Sequence, residues 1–407
     1  MRKETRFKFN KYLSRIAELN GIEVKDLSNK FNVEPSVTQT LFDKVQQSSS
    51  FLKLINMVVV QELTEEKVGM DVTGTIASTA DTGNGVERKT ADFSKMDAYR
   101  YFCKPVNFDY HLQYNKLDLW ARFQDFQIRI RNAIIKRQAL DYITIGFNGV
   151  TRAATSDRNA NPLLQDVAVG WLQKYRNDAP ERVMDKVTDD NGAVISDTIK
   201  VGKGGHYANL DALVMDAHES LIEEVHRENP EMVVICGRRI LTDKYFPLIN
   251  KFQANSEQLA GELIISQKTI GQLQAVRAPF FPANSIFITP LDNISIYLYE
   301  DGHRRHIIEN PKLDRVENYE QVKVDFVIED YEAGCLIENI EILEPEEDAT
   351  PETTSADAFA AAIVKAMKEL TGNTGAPGHQ LDRQLRDTLE QIEREKRARQ
   401  RASMSHD

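Results

Sequence analysis

The feature that most constrains this chain is a long stretch without helix breakers. Neither glycine nor proline occurs between Val106 and Ile145. Within this stretch, residues 116–147 are predicted to form one helix, about 48 Å long at roughly 1.5 Å per residue. Gly146 and Gly149 mark its expected end. The residues at helical spacing predict an apolar stripe made of Leu119, Phe123, Phe126, Ile130 and Ile134.

The segment before this helix has the pattern of β-strands. Apolar runs or alternation occur at residues 57–60, 68–72 and 108–112. Asn84-Gly85, a dipeptide typical of tight turns, lies between the second and third of these. The pattern predicts a long hairpin with a polar tip. Because the hairpin has few bulky apolar side chains of its own, we expect it to rest on another chain.

The chain after the long helix predicts helices mixed with strands. A helix is expected near residues 210–225, a buried strand at 232–236 and a second helix near 241–251. Short strands are then expected at residues 286–288, 294–299, 322–328 and 335–343. The predicted fold class is therefore α+β.

The length and composition of the chain restrict which classes of protein it can belong to. A chain of 407 residues with 41% hydrophobic residues can form two or three domains with real cores. Cys103, Cys236 and Cys335 are far apart, which predicts synthesis in a reducing compartment and small buried side chains rather than reactive thiols. There is no secretory signal and no run of roughly 20 apolar residues, so no membrane partner is expected. The net charge of −11 argues against binding of DNA by the whole surface.

The N-terminal segment has a charge opposite to that of the chain. Its first 30 residues contain eight basic and four acidic residues. Apolar residues fall at helical spacing at Phe9, Leu13, Ile16 and Leu19. Because this apolar surface is too small for a core, the segment is predicted to be an arm or a removable piece.

The chain from residue 344 onwards has the composition of an appendage. Residues 344–356 form an acidic linker with proline and threonine, and two short predicted helices follow. The second helix has an apolar seam made of Leu381, Leu385, Leu389 and Ile392. The seam suits a short coiled coil or a groove in a partner. An assembly tail, a surface appendage and a mostly disordered extension all remain open.

The sequence lacks the motifs of common enzyme sites. Its eight histidines form no HExxH pattern or Cys/His cluster, and there is no GxSxG motif. The glycine-rich run at residues 202–205 precedes a helix but lacks the GK[ST] pairing of a phosphate loop. We therefore predict a protein that is not an enzyme, with no catalytic residue, cofactor or metal.

Basic residues follow one face of the predicted long helix. Arg122, Arg129 and Lys136 recur every seven residues, with about 20° of drift per heptad. Arg131 and Arg137 flank them. Two interpretations remain open. The residues form a solvated face with intrahelical ion pairs, or they contact DNA phosphates inside a shell or acidic residues of a neighbouring subunit.

Several long stretches of the sequence resemble one protein family. They are MRKETRFKFNKYLSRIAELNG, EPSVTQTL, LDLWARFQDFQIRIRNAIIKRQ, NPLLQDVAVGWLQKYRN, NPKLDRVENYE and DYEAGCL. These stretches resemble the major capsid protein of the peduovirus group of tailed bacteriophages. The resemblance runs from Met1 to about residue 343 without gaps in the quoted stretches, so it is far more specific than a short motif.

The resemblance implies the Hong Kong 97-type capsid fold. Its parts would be, in chain order, a removable N-terminal piece (1–31), an extended N-arm (32–58), a β-hairpin called the E-loop (59–115), a peripheral P-domain (116–203 and 284–343), an axial A-domain (204–283) and the C-terminal linker with its helical extension (344–407). The long helix would be the spine of the P-domain, with the late strands against it. The A-domain would be an insertion, and the extension departs from the family pattern.

The resemblance also implies a function in shell assembly. Copies of the chain would form hexamers and pentamers of an icosahedral shell around non-specifically packaged double-stranded DNA. An internal scaffolding protein would double as the maturation protease and cut the chain near Lys30, Phe31 and Asn32. A portal protein would occupy one vertex. The chain would be assembled in the host cytoplasm and reside in the virion capsid.

A second interpretation shares this fold. A protein nanocompartment that holds an enzyme cargo would have the same arm, hairpin and helix. It would keep its N-terminal piece, so the length of the mature chain separates the two interpretations.

Overall fold

The structure is a computed structural model that describes residues 1–66, 70–72, 77, 94–96, 99–123, 125–189, 192–242, 244 and 268–343. Its α-helices are α1 (Lys3–Leu19), α2 (Pro35–Ser48), α3 (Tyr114–Trp120), α4 (Phe126–Asn148), α5 (Trp171–Asp178), α6 (Leu210–Leu221) and α7 (Glu224–Arg227). Short 3-10 helices occupy Val24–Ser28, Leu52–Leu54, Pro180–Arg182, Leu291–Asn293, Glu300–Gly302 and Pro311–Leu313.

The strands connect these helices along the described parts of the chain. They are β1 (Phe31–Asn32), β2 (Asn56–Val60), β3 (Thr64–Glu66), β4 (Met70–Val72), β5 (Ser94–Met96), β6 (Arg100–Phe102), β7 (Lys104–Asn107), β8 (Tyr110–Gln113), β9 (Val183–Met184), β10 (Val187–Thr188), β11 (Val194–Ser196), β12 (Ile199–Val201), β13 (Met232–Cys236), β14 (Thr269–Ile270), β15 (Leu273–Arg277), β16 (Ile286–Pro290), β17 (Ile294–Tyr299), β18 (Arg304–Asn310), β19 (Arg315–Ile328), β20 (Cys335–Ile337) and β21 (Ile340–Ile342).

A first sheet joins the N-terminal part of the chain to the late strands. Its order is β1-β18-β19-β17-β2, and β7 and β8 also pair with β19. The even-numbered residues of β19 from Val316 to Phe326 are all buried. This alternation confirms the strand predicted at residues 322–328, although β19 begins earlier. The first sheet therefore has one long central strand, β19, and most of the other strands of the sheet pair with it.

A second sheet carries the strand that was predicted to be buried. Its order is β14-β15-β13-β16-β20-β9, and all five residues of β13 are buried. α6 covers one face, where Leu213 and Ala217 share a cluster with Val234 and Ile288. Strands from both sides of residue 284 pair directly, since Val234 lies opposite Ile288. The predicted boundary between the A-domain and the P-domain therefore runs through one hydrogen-bonded sheet.

The prediction of a single helix over residues 116–147 was wrong. α3 ends at Trp120 and α4 begins at Phe126, with a turn between them. Leu117 and Phe126 are nine residues apart, so a continuous helix at about 100° per residue would place them on opposite faces. The turn allows both to be buried in the same cluster. Leu119 and Phe123, which were predicted to face the core, are 54% and 45% exposed.

The prediction of an extended N-arm was wrong over Pro35–Ser48, which is helix α2. Pro35 occupies the first turn, where its fixed φ and missing N–H favour a helix start. Phe42 on α2 packs edge-on against Tyr142 on α4, with 6.2 Å between the ring centroids. The burial of this helix face against α4 therefore decides the conformation of the segment.

Gly146 has a packing role rather than the predicted role in ending the helix. α4 continues to Asn148, and Gly149 follows it. A Cβ atom on Gly146 would lie 2.2 Å from the ring of Trp171. The Trp171 side chain is fully buried and donates a hydrogen bond from Nε1 to the Ser295 oxygen at 3.0 Å. Glycine at position 146 therefore lets α5 and the first sheet approach α4 closely.

The three cysteines are buried, as the sequence predicted. None of them forms a disulfide. Burial raises the pKa of the Cys103 and Cys236 thiols to about 12, and it also raises the pKa of the Cys335 thiol. At neutral pH these side chains are therefore protonated, and they behave as small apolar groups.

The predicted hairpin is present in its backbone pairing. β3 pairs with β6 and β4 pairs with β5, both antiparallel. The Asn84-Gly85 turn that was predicted for its tip lies outside the described residues. The seam of Leu381, Leu385, Leu389 and Ile392, together with the whole region from residue 344, also lies outside them.

Candidate assembly surfaces

The N-terminal segment, residues 1–31, is packed against the rest of the chain rather than projecting as an arm. Phe9, Ile16 and Ala17 on α1 are buried, as is Leu27 in the following 3-10 helix. Their partners lie on α3, α4 and the turn between them, and on β18 and β19. We call these partners the elbow face: Leu117, Ala121, Phe126, Ile130, Ile307 and Val316.

Polar contacts surround this apolar contact. Arg6 forms an ion pair with Glu309, and the Arg2 backbone N–H donates to Asp118 Oδ1 at 2.8 Å. Lys8 Nζ donates to the Ala121 oxygen at 2.5 Å. Two basic side chains of α1 and the backbone N–H before it therefore meet carboxylates and a carbonyl around the elbow face, and these contacts fix the helix in position.

The predicted processing region lies at the surface, at the C-terminal end of this packed segment. Lys30 and Asn32 are exposed and Phe31 is half-buried. Phe31 and Asn32 form β1, which pairs antiparallel with the edge of β18 opposite Arg305 and Arg304. The region is therefore accessible at an edge of the first sheet, and a protease would have to displace a two-residue strand to bind it in extended form.

A buried polar network lies directly beneath β1 and α2. His303 Nε2 is 3.0 Å from Glu320 Oε1, and Thr38 Oγ1 is 3.1 Å from His303 Nδ1. Arg305 Nε lies 3.8 Å from the other Glu320 oxygen. Burial alone would raise the pKa of Glu320, but Arg305 and the hydrogen bonds from His303 and Gln138 lower it to about 2. The network therefore contains a stable buried carboxylate.

This network was missed by the sequence analysis, although a signal for it exists. The histidines were considered only as members of HExxH or Cys/His patterns, and His303 fits neither. Glu320 has the same strand parity as Val322, Val324 and Phe326, which predicts an inward-facing side chain. A carboxylate at an inward position requires a cationic or hydrogen-bonding partner. That parity pointed to a buried charge, but only the fold shows that Arg305 and His303 are its partners.

The predicted basic face is interrupted in the structure. Arg122 lies in the turn between α3 and α4, so only Arg129 and Lys136 of the seven-residue series share one helix. Arg129 Nε bonds Asp125 Oδ1 at 2.7 Å, and Arg137 pairs with an aspartate four residues later at 2.6 Å. The intrahelical pairs expected of a solvated face are thus present at these two residues. All five predicted residues, Arg122, Arg129, Arg131, Lys136 and Arg137, are exposed.

Within the described ranges, no group of three or more His, Cys, Asp and Glu side chains is placed to hold a metal ion. No helix in the described part of the chain is both long and apolar enough to cross a membrane.

A family model described as phage major capsid protein, P2 family, matches residues 8–340. The chain belongs to this family. P2-family capsid proteins are structural, so the membership confirms the prediction of a phage capsid shell protein that is not an enzyme. The resemblance to the peduovirus group is confirmed by the same match.

Two P2-family relatives cover most of the chain. A protein described as capsid proteins of Escherichia phage P2 is 64% identical over 342 residues, covering 84% of this chain and 96% of the relative. The major capsid protein of Serratia phage KSP20 is 41% identical over 349 residues, covering 84% of this chain and 98% of the relative. The shared part therefore corresponds to nearly the whole of each relative.

A solved structure supports the P2-family fold. A chain from the satellite phage P4 procapsid, a structure that includes the size determination protein, is 60% identical and has a TM-score of 0.70. The match covers 84% of this chain and 99% of that chain. The predicted α+β capsid fold of the Hong Kong 97 type is confirmed.

A short match involves a different class of phage protein. The probable tape measure protein of Escherichia phage P2 is 74% identical over 38 residues. The match covers 9% of this chain and 4% of that protein. It is too short to indicate the function of the whole chain.

Proposed function

We propose that this capsid protein assembles into hexamers and pentamers of an icosahedral shell that encloses double-stranded DNA. It would assemble in the host cytoplasm, on an internal scaffolding protein that is also the maturation protease, with a portal protein at one vertex. The protease would cut near Lys30, Phe31 and Asn32. The observation that carries the proposal is the family match over residues 8–340. The exposed connection at residues 28–30, between two packed parts of the chain, supports the cut.

Co-expression tests this proposal directly. The chain is produced with the scaffold-protease of a P2-type phage, and particles are analysed by electron microscopy and intact mass. We expect closed shells whose subunit has lost about 31 residues, the length of the predicted piece. The matched control uses a scaffold-protease with an inactivated catalytic site, which should give shells with full-length subunits. Subunits that never close into particles would refute the proposal.

The same experiment separates the nanocompartment interpretation. Shells that form without the scaffold-protease, retain residues 1–31 and contain an enzyme would support a compartment. The mass of the shortened subunit also locates the cut to a single peptide bond. A cut outside residues 30–32 would correct the proposed site without affecting the proposed shell.

For the basic face, we propose that Arg131 and Lys136 contact the phosphates of packaged DNA. Both are exposed on α4, whereas Arg129 and Arg137 have intrahelical partners. Changing both to glutamate should leave shell formation intact and reduce the DNA retained by filled particles. The control is Arg122→Glu, on the turn. Loss of shells would indicate a contact with a neighbouring subunit, and unchanged particles would indicate a solvated face.

For the C-terminal extension, we infer that the stretch similar to the tape measure protein lies within residues 344–407. The family match ends at residue 340, and the capsid relatives cover only 84% of the chain. A segment related to a different phage protein is not a conserved part of the capsid fold. We therefore propose an appendage that shell assembly does not require, with the seam at residues 381–392 available to a partner.

A further inference from the structure

We propose that the N-terminal segment is a detachable cover over a contact surface for a second copy of the chain. That surface is the elbow face together with the edge of β18. The inference rests on the proposed N-terminal cut, because the surface is accessible only after residues 1–31 leave.

The first observation is that the cover packs on fully buried apolar side chains of the elbow face. Leu117, Phe126 and Ile130 are each at most 1% exposed. They form one cluster with Phe9 and Ile16 of the cover. Loss of α1 would therefore expose an apolar surface that a folded monomer does not normally present to water.

The second observation is that the apolar surface under the cover is wider than its fully buried members. Leu112, Trp120 and Ile134 are partly buried and pack against the same cluster. A wide contiguous apolar surface marks a protein interaction site. Removal of the cover would expose these side chains together with the elbow face.

The third observation is that the cover also closes a sheet edge. β1 lies at the edge of the first sheet, where Phe31 is opposite Arg305 on β18. A cut at the proposed site removes Phe31 and leaves the backbone groups of β18 unpaired there. An open strand edge next to an apolar surface pairs readily with an extended segment of another polypeptide.

The fourth observation decides the kind of partner. Departure of the cover removes the Arg2 backbone N–H and the N-terminal ammonium group from Asp118, and it removes the Arg6 guanidinium from Glu309. These negative charges repel nucleic acid phosphates. A protein with basic side chains around an apolar centre fits them. Subunits of a capsid shell contact copies of themselves, so a second copy of this chain is the partner we infer.

The test uses the full-length chain with a recognition sequence for a specific protease inserted between Phe31 and Asn32, so that the cut releases residues 1–31. The protein is folded, cut and examined by sedimentation velocity and hydrogen exchange. We expect the cut to strengthen self-association by about tenfold or more in the dissociation constant. In dilute samples, amides of residues 117–130 and 305–316 should exchange faster after the cut. They should be protected again when the concentration is raised.

A peptide in trans provides the specificity control without any change to the core. A synthetic peptide of residues 1–31, added to the cut protein, should restore protection and reverse the association. A peptide of the same composition in scrambled order should have no effect. This control avoids a substitution at Phe126, which would risk unfolding the uncut protein.

Two results would overturn the inference. Exchange and association that do not change on cutting would show that the segment is not a cover. A cut protein that binds added scaffolding protein but not itself would show that the partner is not a second copy. The inserted site makes the cut independent of the phage protease. If the proposed natural processing is wrong, only the co-expression experiment shows it. That failure is therefore distinguishable from the two results above.

Discussion

At the scale of single residues, Gly146 shows how one missing methyl group sets the distance between two helices. Its position for a Cβ atom lies 2.2 Å from the Trp171 ring, well inside contact distance. Gly146→Ala should therefore force α4 and α5 apart and lower the free energy of unfolding by roughly 1–3 kcal/mol, the usual range for overpacking. Chemical denaturation of the purified subunit measures this change.

The control for Gly146 is Asn132→Ala, on the exposed side of the same helix. It should change the free energy of unfolding by less than about 0.5 kcal/mol. If Gly146→Ala had an equally small effect, the close approach of Trp171 would be incorrect.

The buried carboxylate of Glu320 predicts a pH dependence of stability. Its pKa in the folded chain is about 2, against an ordinary value of 4.5. A group with a lowered pKa stabilises the fold above its ordinary pKa, and this contribution is lost as the pH falls from about 4.5 to about 2. At about 1.4 kcal/mol per pKa unit, the contribution near neutral pH is on the order of 3 kcal/mol.

The measurement compares wild-type protein with Glu320→Gln across this pH range. The difference in the free energy of unfolding should be largest above pH 5 and shrink towards pH 2. Glu341→Gln, at an exposed position, is the matched control and should give a small difference. A difference for Glu320→Gln that stays constant with pH would contradict the buried ion pair.

For single residues, the sequence predicts which side chains are buried better than it predicts which side chains they contact. The burial of all three cysteines was predicted from their spacing and class. The inward position of Glu320 follows from strand parity, but parity does not identify Arg305 and His303 as the groups that contact it. The partners of a buried charge depend on contacts between distant parts of the chain, and no local pattern contains them.

At the scale of elements, the break between α3 and α4 reverses the expected face of the first helix. Leu117 is fully buried and Leu119 is 54% exposed. Leu117→Ala should therefore lower the free energy of unfolding by about 2–5 kcal/mol, as for other buried leucines. Leu119→Ala, two residues away and of identical chemistry, should change it by about 0.5 kcal/mol or less.

Thermal or chemical denaturation of these two variants tests the break itself. A single straight helix with the predicted apolar stripe would give the opposite order, with Leu119 the more sensitive position. Equal effects would also contradict the arrangement described for α3.

The elements show where sequence patterns succeed and where they fail. Alternation predicted β19, because a strand with one buried face has a period of two, whereas short apolar runs predicted β13 and β17. The break at residues 121–125 was not predicted because it contains no glycine or proline and is imposed by the packing of α1. α2 was missed for a related reason. Its apolar residues are few, and their helical spacing matters only because they pack against α4, where Tyr142 lies.

At the scale of the whole molecule, the extension beyond residue 343 predicts a simple deletion result. The capsid family match ends at residue 340, and the first compact unit of the chain ends at Leu343. A chain that stops after Leu343 should form closed shells with the scaffold-protease at a yield within about twofold of the full chain, because the fold it retains is the one its relatives share. Electron microscopy and sedimentation provide the yield.

Aberrant or missing particles from that shortened chain would instead support the assembly-tail interpretation. The control is Leu381→Ala with Leu385→Ala in the full chain, which alters the proposed seam without changing the chain length. Normal shells from both variants would show that neither the seam nor the extension takes part in closure.

The molecular function was predictable from resemblance rather than from physical pattern. The patterns typical of hairpins, helices and sheets predicted an α+β chain. Its hairpin and N-terminal segment have too few apolar residues to fold alone, and many kinds of assembly share this property. The division into domains stays a prediction, and one sheet contains strands from both sides of residue 284. Sheet pairing between segments separated by more than fifty residues cannot be derived from the local composition of either segment.

The burial of every cysteine has a practical consequence for studying assembly. With all three thiols protonated and hidden, the native subunit should react slowly with maleimide dyes. A cysteine introduced at Phe7, which is 74% exposed on α1, would then be the one fast-reacting position. A fluorophore attached there would travel with the excised fragment, so the loss of colour from sedimenting particles would follow processing in real time.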